Sequence, residues 1–260
     1  MTVVVDSVGS LDVGVLLRTW RERRRFSQQE LSNRSQVSTR HLSRVETGKA
    51  RPTAEMVLRL ADHLDVPLRE RNRLLLAAGY APHYPDHRLD DTSVAAVMDG
   101  LRRLLDAHLP YPALLLDTYW DVVDANLAVH QLLAGCDPAL LEPPLNVLRL
   151  TLHPGGLAPR IRNLHQWSAH LQQQVTRRAD RTHDPRHREL AAEVDSYVDG
   201  APGLRVSAGP VLTLELETGA GLLRFFSTSA QLDTATDAAL EGLHLETFLP
   251  ADVATRQAFG

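Results

Sequence analysis

Lysine is almost missing from this chain. Lys49 is the single lysine among 28 basic residues, and the other 27 are arginine. That scarcity excludes a Ser-Lys self-cleaving peptidase or a lysine Schiff base in the later part of the chain, because each needs a lysine there. Cysteine is as scarce. Cys136 alone permits no intrachain disulfide and no all-cysteine metal site, and it reads as a small apolar filler. Long apolar runs are missing too, so no membrane span is expected. The N-terminal MTVVVDSVGS has no basic n-region and no apolar stretch of signal-peptide length, which predicts a cytoplasmic protein. No GxSxG, HExxH or Walker A pattern occurs. His183 and His187 are interrupted by Pro185, and His165 and His170 are five apart, so neither pair suits a metal on one helix face. The expectation is a protein with no catalytic site, metal or cofactor.

What is present is ordinary globular material, 43% hydrophobic and 23% charged over 260 residues, enough for two modest domains. The net charge of -4 is unevenly spread. Residues 11–79 hold 14 basic and 8 acidic residues, whereas residues 80–260 hold 14 and 23. A basic first part on an acidic remainder suits a polyanionic partner.

Residues 11–79 read as five short helices. Leu16, Leu17 and Trp20 have helical spacing, and Ser27-Gln28-Gln29-Glu30 is a capping box that opens a second helix. Ser38 caps a third, Thr39 to Glu46, which Thr47-Gly48 ends. Pro52-Thr53 opens a fourth helix and Pro67 a fifth, closed by Gly79. Residues 80–92, with their prolines and little periodicity, read as a linker. Beyond it the pattern mixes. Val94 to His108 predicts a helix, and Pro112-ALLLD and DVVDAN flank the tight turn TYW as two strands. Asn126 to Gly135, Arg160 to Arg178 and residues 187–198 predict helices. Three closing strands are expected at Val211-LTLELET, Gly221-LLRFFST and Ala239-LEGLHLETFL.

Two short helices with a tight turn let the second lie in a DNA major groove while the first braces on the backbone. On the second helix, Leu42 and Val45 face inward. Thr39, Arg40, Ser43 and Arg44 face outward, and an arginine can give two donors to guanine O6 and N7. Gln28, at a helix N-terminus, is placed to meet a phosphate. Lys49 and Arg51 follow the reader helix as further phosphate contacts.

The stretch SQQELSNRSQVSTRHLSRVETGKARPTAEMVLRLADHLDV resembles the Cro/C1-type, or Xre-family, helix-turn-helix of bacterial regulators. The resemblance covers residues 14–79. It implies that Gln28 and Gln29 touch phosphate or groove edge, that Thr39, Arg40, His41, Ser43 and Arg44 lie at the reading positions, with Ser38 beside them as a further DNA contact, and that Glu46 braces the domain. Such turns usually carry glycine for a left-handed backbone. Gln36 stands there instead, at a cost of roughly 1 kcal/mol.

YPALLLDTYWDVVDAN, NVLRLTLHPGGLAPRIRNLHQW and HLETFLPAD are similar to the C-terminal domain of MmyB-like transcription regulators. The resemblance implies a PAS-like α+β domain over 93–255, an antiparallel sheet of about five strands, and an apolar pocket for a fatty-acid-like ligand. Leu114, Leu116, Leu148, Trp167, Leu214 and Phe225 are candidate walls, with Leu150 and Leu216 beside them. His153, Arg160 and Asn163 are candidate anchors, together with His165, because a fatty carboxylate calls for a basic or donor group. The same residues would serve equally as plain core and solvated helix face. The fold expected is therefore mixed: a five-helix bundle over 11–79, then the α+β domain. The function expected is a homodimeric regulator that binds a palindromic operator with reader helices about 34 Å apart and responds to a small apolar ligand. The alternative is a second domain that serves only dimerisation or protein–protein contact.

Overall fold

A computed structural model describes residues 12–182, 184–197, 210–219 and 221–259. The N-terminal decapeptide and His183 lie outside them. The chain forms two compact units: residues through Arg88 together with Asp233–Glu241, and Leu89–Leu232 together with Gly242 onward.

In the first unit, α1 (Val13–Arg23), α2 (Gln28–Ser35), α3 (Thr39–Glu46), α4 (Ala54–His63) and α5 (Leu68–Ala77) follow one another with short turns. Side chains at the helix starts explain where four of them begin. Asp12, Ser27, Ser38 and Thr53 each accept a backbone N–H of the first turn, and Glu30 reaches back to the N–H of Ser27 at 2.7 Å to complete the capping box. The turn after α2 passes through Gln36 at φ 57°, the left-handed conformation expected of that position. Leu17, Trp20, Leu31, Leu42, Val45, Leu60 and Leu64 are buried together. Helix α1 approaches α3 so closely that a Cβ on Gly14 would lie 2.2 Å from the carbonyl oxygen of Val45. After α5 the chain stays with this unit. Asn72 accepts from the N–H groups of His83 and Tyr84 at 3.0 Å each and donates to the Tyr84 carbonyl at 2.8 Å.

The second unit begins with α6 (Ala95–Ala107), β1 (Ala113–Leu116), β2 (Val122–Ala125), α7 (Leu127–Leu132) and α8 (Val147–Leu152). A helical pair follows, α9 (Leu164–Thr182) and α10 (Pro185–Tyr197), and then β3 (Leu214–Thr218) and β4 (Gly221–Gln231). The chain next returns to the first unit as α11 (Ala238–Glu241), and comes back as β5 (His244–Pro250) and α12 (Val253–Gln257). The five strands form one sheet in the order β2-β1-β5-β4-β3, with every neighbouring pair antiparallel. The last strand thus lies between the first and the fourth.

Two asparagines pin the sheet's surroundings. The Asn126 side-chain carbonyl accepts from Ala113 N–H, and its amide donates to the carbonyls of Leu105 and Tyr111. The Asn146 carbonyl caps α8, and its amide donates to the Tyr119 carbonyl and to Asp121. The β1–β2 turn holds Trp120 at φ 61°.

One predicted element is corrected. The strand expected from Ala239 is helical at its start, because the Asp237 carboxylate accepts from Ala239 N–H at 2.9 Å and turns the backbone there. The strand itself runs from His244. In the same segment, Glu241 accepts from Leu68 N–H at 2.8 Å. It supplies the cap that Pro67, without a side-chain acceptor, cannot give α5. Burial holds the Glu241 carboxyl above the usual carboxylate range.

Candidate nucleic-acid interface and ligand cavity

Helix α3 divides into two faces. Leu42 and Val45 are buried at 0% and 1% exposure, while Arg40, His41 and Arg44 are exposed and Thr39 and Ser43 half-buried. Lys49 and Arg51 are exposed just beyond the helix, as Ser38 is just before it. The carbonyl of Lys49 accepts from the Arg44 guanidinium at 3.4 Å, which lays that side chain along the helix end. Outward-facing arginines on a short, well-capped helix are free to meet base edges or phosphates.

The helix is held from behind by a buried ion pair. The Arg21 guanidinium grips the Glu46 carboxylate in a fork, at 2.7 and 2.9 Å, and also donates to the Phe26 carbonyl at 2.8 Å. The fork with Glu46 is the main cause that raises the Arg21 pKa above its ordinary value. The Gln28 amide adds a third donor to the same carboxylate at 2.7 Å. Gln28 is therefore tied to α3 through Glu46. Gln29, exposed, donates to Asn33 at 2.8 Å and accepts from the Thr39 hydroxyl at 3.1 Å, which joins α2 to the start of α3.

The second unit contains a cavity between one face of its sheet and α7, α8 and α9, with about 950 Å³ of unfilled space, open solvent at its mouth included. An apolar lining of this kind suits a small organic molecule. Leu114, Leu148, Leu150, Trp167, Leu214, Leu216 and Phe225 line it. Leu116 does not; it is packed in the adjoining core at 0% exposure.

None of the four expected anchors lines the cavity. His153 accepts from Gly155 N–H at 2.9 Å. The Arg160 guanidinium donates to the Leu132 carbonyl. Asn163 bridges to β3, donating to the Thr213 carbonyl at 2.7 Å and accepting from Glu215 N–H at 3.1 Å. His165 has a buried Nε2 without a hydrogen-bond partner, but it too lies outside the lining. Closeness in sequence did not bring these side chains together at the cavity. Two of them serve the backbone of their own loop and of β3, and Arg160 reaches α7.

Sequence reasoning missed much of the lining. Trp120 is set by the left-handed turn residue itself, and Val129, Leu132 and Leu133 come from the short α7 and the turn that ends it. The most informative omission is β5. Its alternation suggests that Leu245, Thr247 and Leu249 share one face, yet the cavity is lined by the other face, through Glu246 and Phe248. A lone carboxylate facing the same way as Phe248 was the available signal. The remaining polar lining residues are His130, Thr151 and Gln174.

Two short capped helices around a left-handed residue, with arginines on the outer face of the second, define a helix-turn-helix DNA-binding domain. A five-stranded antiparallel sheet around an apolar cavity defines a small-molecule-binding partner to it, so the class is that of a DNA-binding regulator with a ligand domain. The sequence profile described as "MmyB-like transcription regulator ligand binding domain" matches residues 97–259, and a helix-turn-helix domain profile matches residues 12–74. The chain belongs to the MmyB-like transcription regulators. No curated relative matches it. Both matched families are regulatory or ligand-binding. Among the described residues, no helix is long and apolar enough to cross a membrane, and no group of three or more His, Cys, Asp or Glu is arranged to hold a metal ion.

Proposed function

We propose that this protein is a cytoplasmic, non-enzymatic transcription regulator whose second unit senses a small molecule with an apolar, fatty-acid-like chain. The observation that carries this reading is the unfilled apolar space in the core of the sheet unit. Trp120, Trp167, Leu148, Leu171, Leu214 and Leu216 belong both to its buried core and to the cavity wall. A domain that only dimerised would gain stability by filling that space. Binding changes DNA affinity only as far as the ligand prefers one of two states.

On the DNA side, Arg40 and Arg44 read bases, with Ser38, Thr39, His41 and Ser43 around them. Lys49, Arg51 and Gln29 hold the backbone, and Gln28 acts through Glu46 as well as by any phosphate contact. The operator is a palindrome read by a homodimer. Selection of bound sequences from a random DNA pool, followed by titration of variants, tests the assignment. Arg40→Ala and Arg44→Ala should each cost about 1–3 kcal/mol and relax base preference. Wild-type affinity and specificity in both would remove α3 from the reading role. On the ligand side, native mass spectrometry of protein purified from cells should show a bound apolar molecule. A bare protein that also gains no thermal stability from medium-chain lipids would defeat the sensor reading.

A further inference from the structure

We propose that Glu246 selects the head group of the cavity's ligand, favouring an apolar molecule that ends in a hydrogen-bond donor, a hydroxyl or an ammonium, over one that ends in a carboxylate. The inference rests on the reading of the cavity as a ligand site, and specifies what that site takes.

Glu246 sits mid-strand on β5, opposite Leu114 of β1 and Ser229 of β4, in the row that also carries Phe248. Among the described residues it is the sole carboxylate in the lining, which holds neither arginine nor lysine. The other polar lining groups are poorly placed to serve an internal anion. The Thr151 hydroxyl is already given to the Val147 carbonyl at 2.6 Å. Gln174 and His130 are exposed, and the Gln174 amide is bonded to His170 at 2.8 Å.

Ser227 of β4 lies opposite Phe248, one position along the same row from Glu246. A carboxylate offers about four acceptor sites, and half-buried Glu246 brings them to an otherwise apolar wall. Burial holds the Glu246 carboxyl above the usual carboxylate range. A hydroxyl or ammonium supplies a donor directly. A carboxylate brings a second negative charge and must share a proton with Glu246 to fit, as two acids in one site do.

Trp120 and Trp167 line the cavity, so tryptophan emission of the full-length protein reports occupancy. Decan-1-ol, decylamine and decanoate, kept below micelle-forming concentrations at mildly alkaline pH, are the probes. The alcohol and the amine should bind at least about tenfold more tightly than decanoate, the size of a one-unit like-charge effect. Glu246→Gln, nearly isosteric, should bring amine and decanoate to within about threefold of each other, since the charge contrast is gone. The ranking in the wild-type protein stands without any variant. Decanoate binding as tightly as the other two overturns the head-group assignment and leaves the cavity a ligand site. An unchanged ranking in a folded Glu246→Gln variant overturns the residue assignment. No binding by any of the three overturns both this inference and the sensor reading.

Discussion

In the helical unit, a buried acid, Glu46, is gripped by Arg21 and Gln28 and closes a filled core. In the sheet unit, a half-buried acid, Glu246, looks into an unfilled core. The same chemical group has opposite roles in the two places. Satisfied on several sides, it fixes one helix against another. Set beside empty space, it is positioned to recognise something that arrives. The first unit is built to hold a surface still, and the second to take in a guest.

The contrast can be broken at its strongest point first. Glu46→Ala leaves the Arg21 charge buried, with 10% of its side chain exposed, and should cost about 3–5 kcal/mol. Urea unfolding of the helical unit measures this, and a loss of less than 1 kcal/mol, near the ~1 kcal/mol ceiling of a surface ion pair, would mean that the pair is not a brace. Gly14→Ala comes next. One added carbon meets the Val45 carbonyl at 2.2 Å, forcing α1 off α3 at about 1–3 kcal/mol. A thermal melt followed by Trp20 emission reads it, and an unchanged midpoint would show that the two helices are loosely packed.

The sheet unit carries an acid-sensitive group. Burial first, and then the nearby Arg178 charge, push His244 down to about 4 from the ordinary 6.5. The unfolded chain therefore takes up this proton earlier than the folded one. Stability should fall as pH drops from about 6.5 towards 4, with a slope of up to ~1.4 kcal/mol per pH unit from this residue. His244→Gln should flatten that slope. Equal slopes in the two proteins would assign the acid sensitivity to other groups, of which His187, also lowered by burial, is the first to test. The smallest effect sharpens the comparison best. Leu133→Phe adds bulk at the wall of the cavity and should change stability by less than ~1.5 kcal/mol, while it blocks uptake of a ligand. If it costs more than Gly14→Ala, the sheet unit is not the hollow one.

The helical unit was largely legible in the sequence because its signals are local. Ser27 and Glu30 are three apart, Ser38 stands next to the helix it caps, and Gln36 occupies a turn position whose backbone is set by its neighbours. The brace itself was legible only through resemblance, since Arg21 and Glu46 are 25 residues apart. The sheet unit resisted for the same reason on a larger scale. Its cavity is assembled from segments between Pro112 and Phe248, so no window of sequence contains it. Strand alternation found the strands but did not say which face of β5 meets the cavity, because a strand paired on both edges and inserted mid-sheet need not turn its more apolar side there. Polar residues clustered at His153 to His165 suggested an anchor site, but His153, Arg160 and Asn163 are drawn to backbone groups instead.

The segment Asp233–Glu241 has a consequence for how this protein can be taken apart. Because it belongs to the helical unit, the polypeptide passes between units three times, after Arg88, after Leu232 and after Glu241. A gene fragment stopped at residue 88 would express α5 without the Glu241 cap on Leu68 N–H and without the Asp237 partner of His87, 2.6 Å away in the intact chain. The reading unit is therefore not one continuous cassette. A chimera that keeps both bonds takes the donor's β4–β5 connection as well, so that two distant stretches of the gene are inherited together.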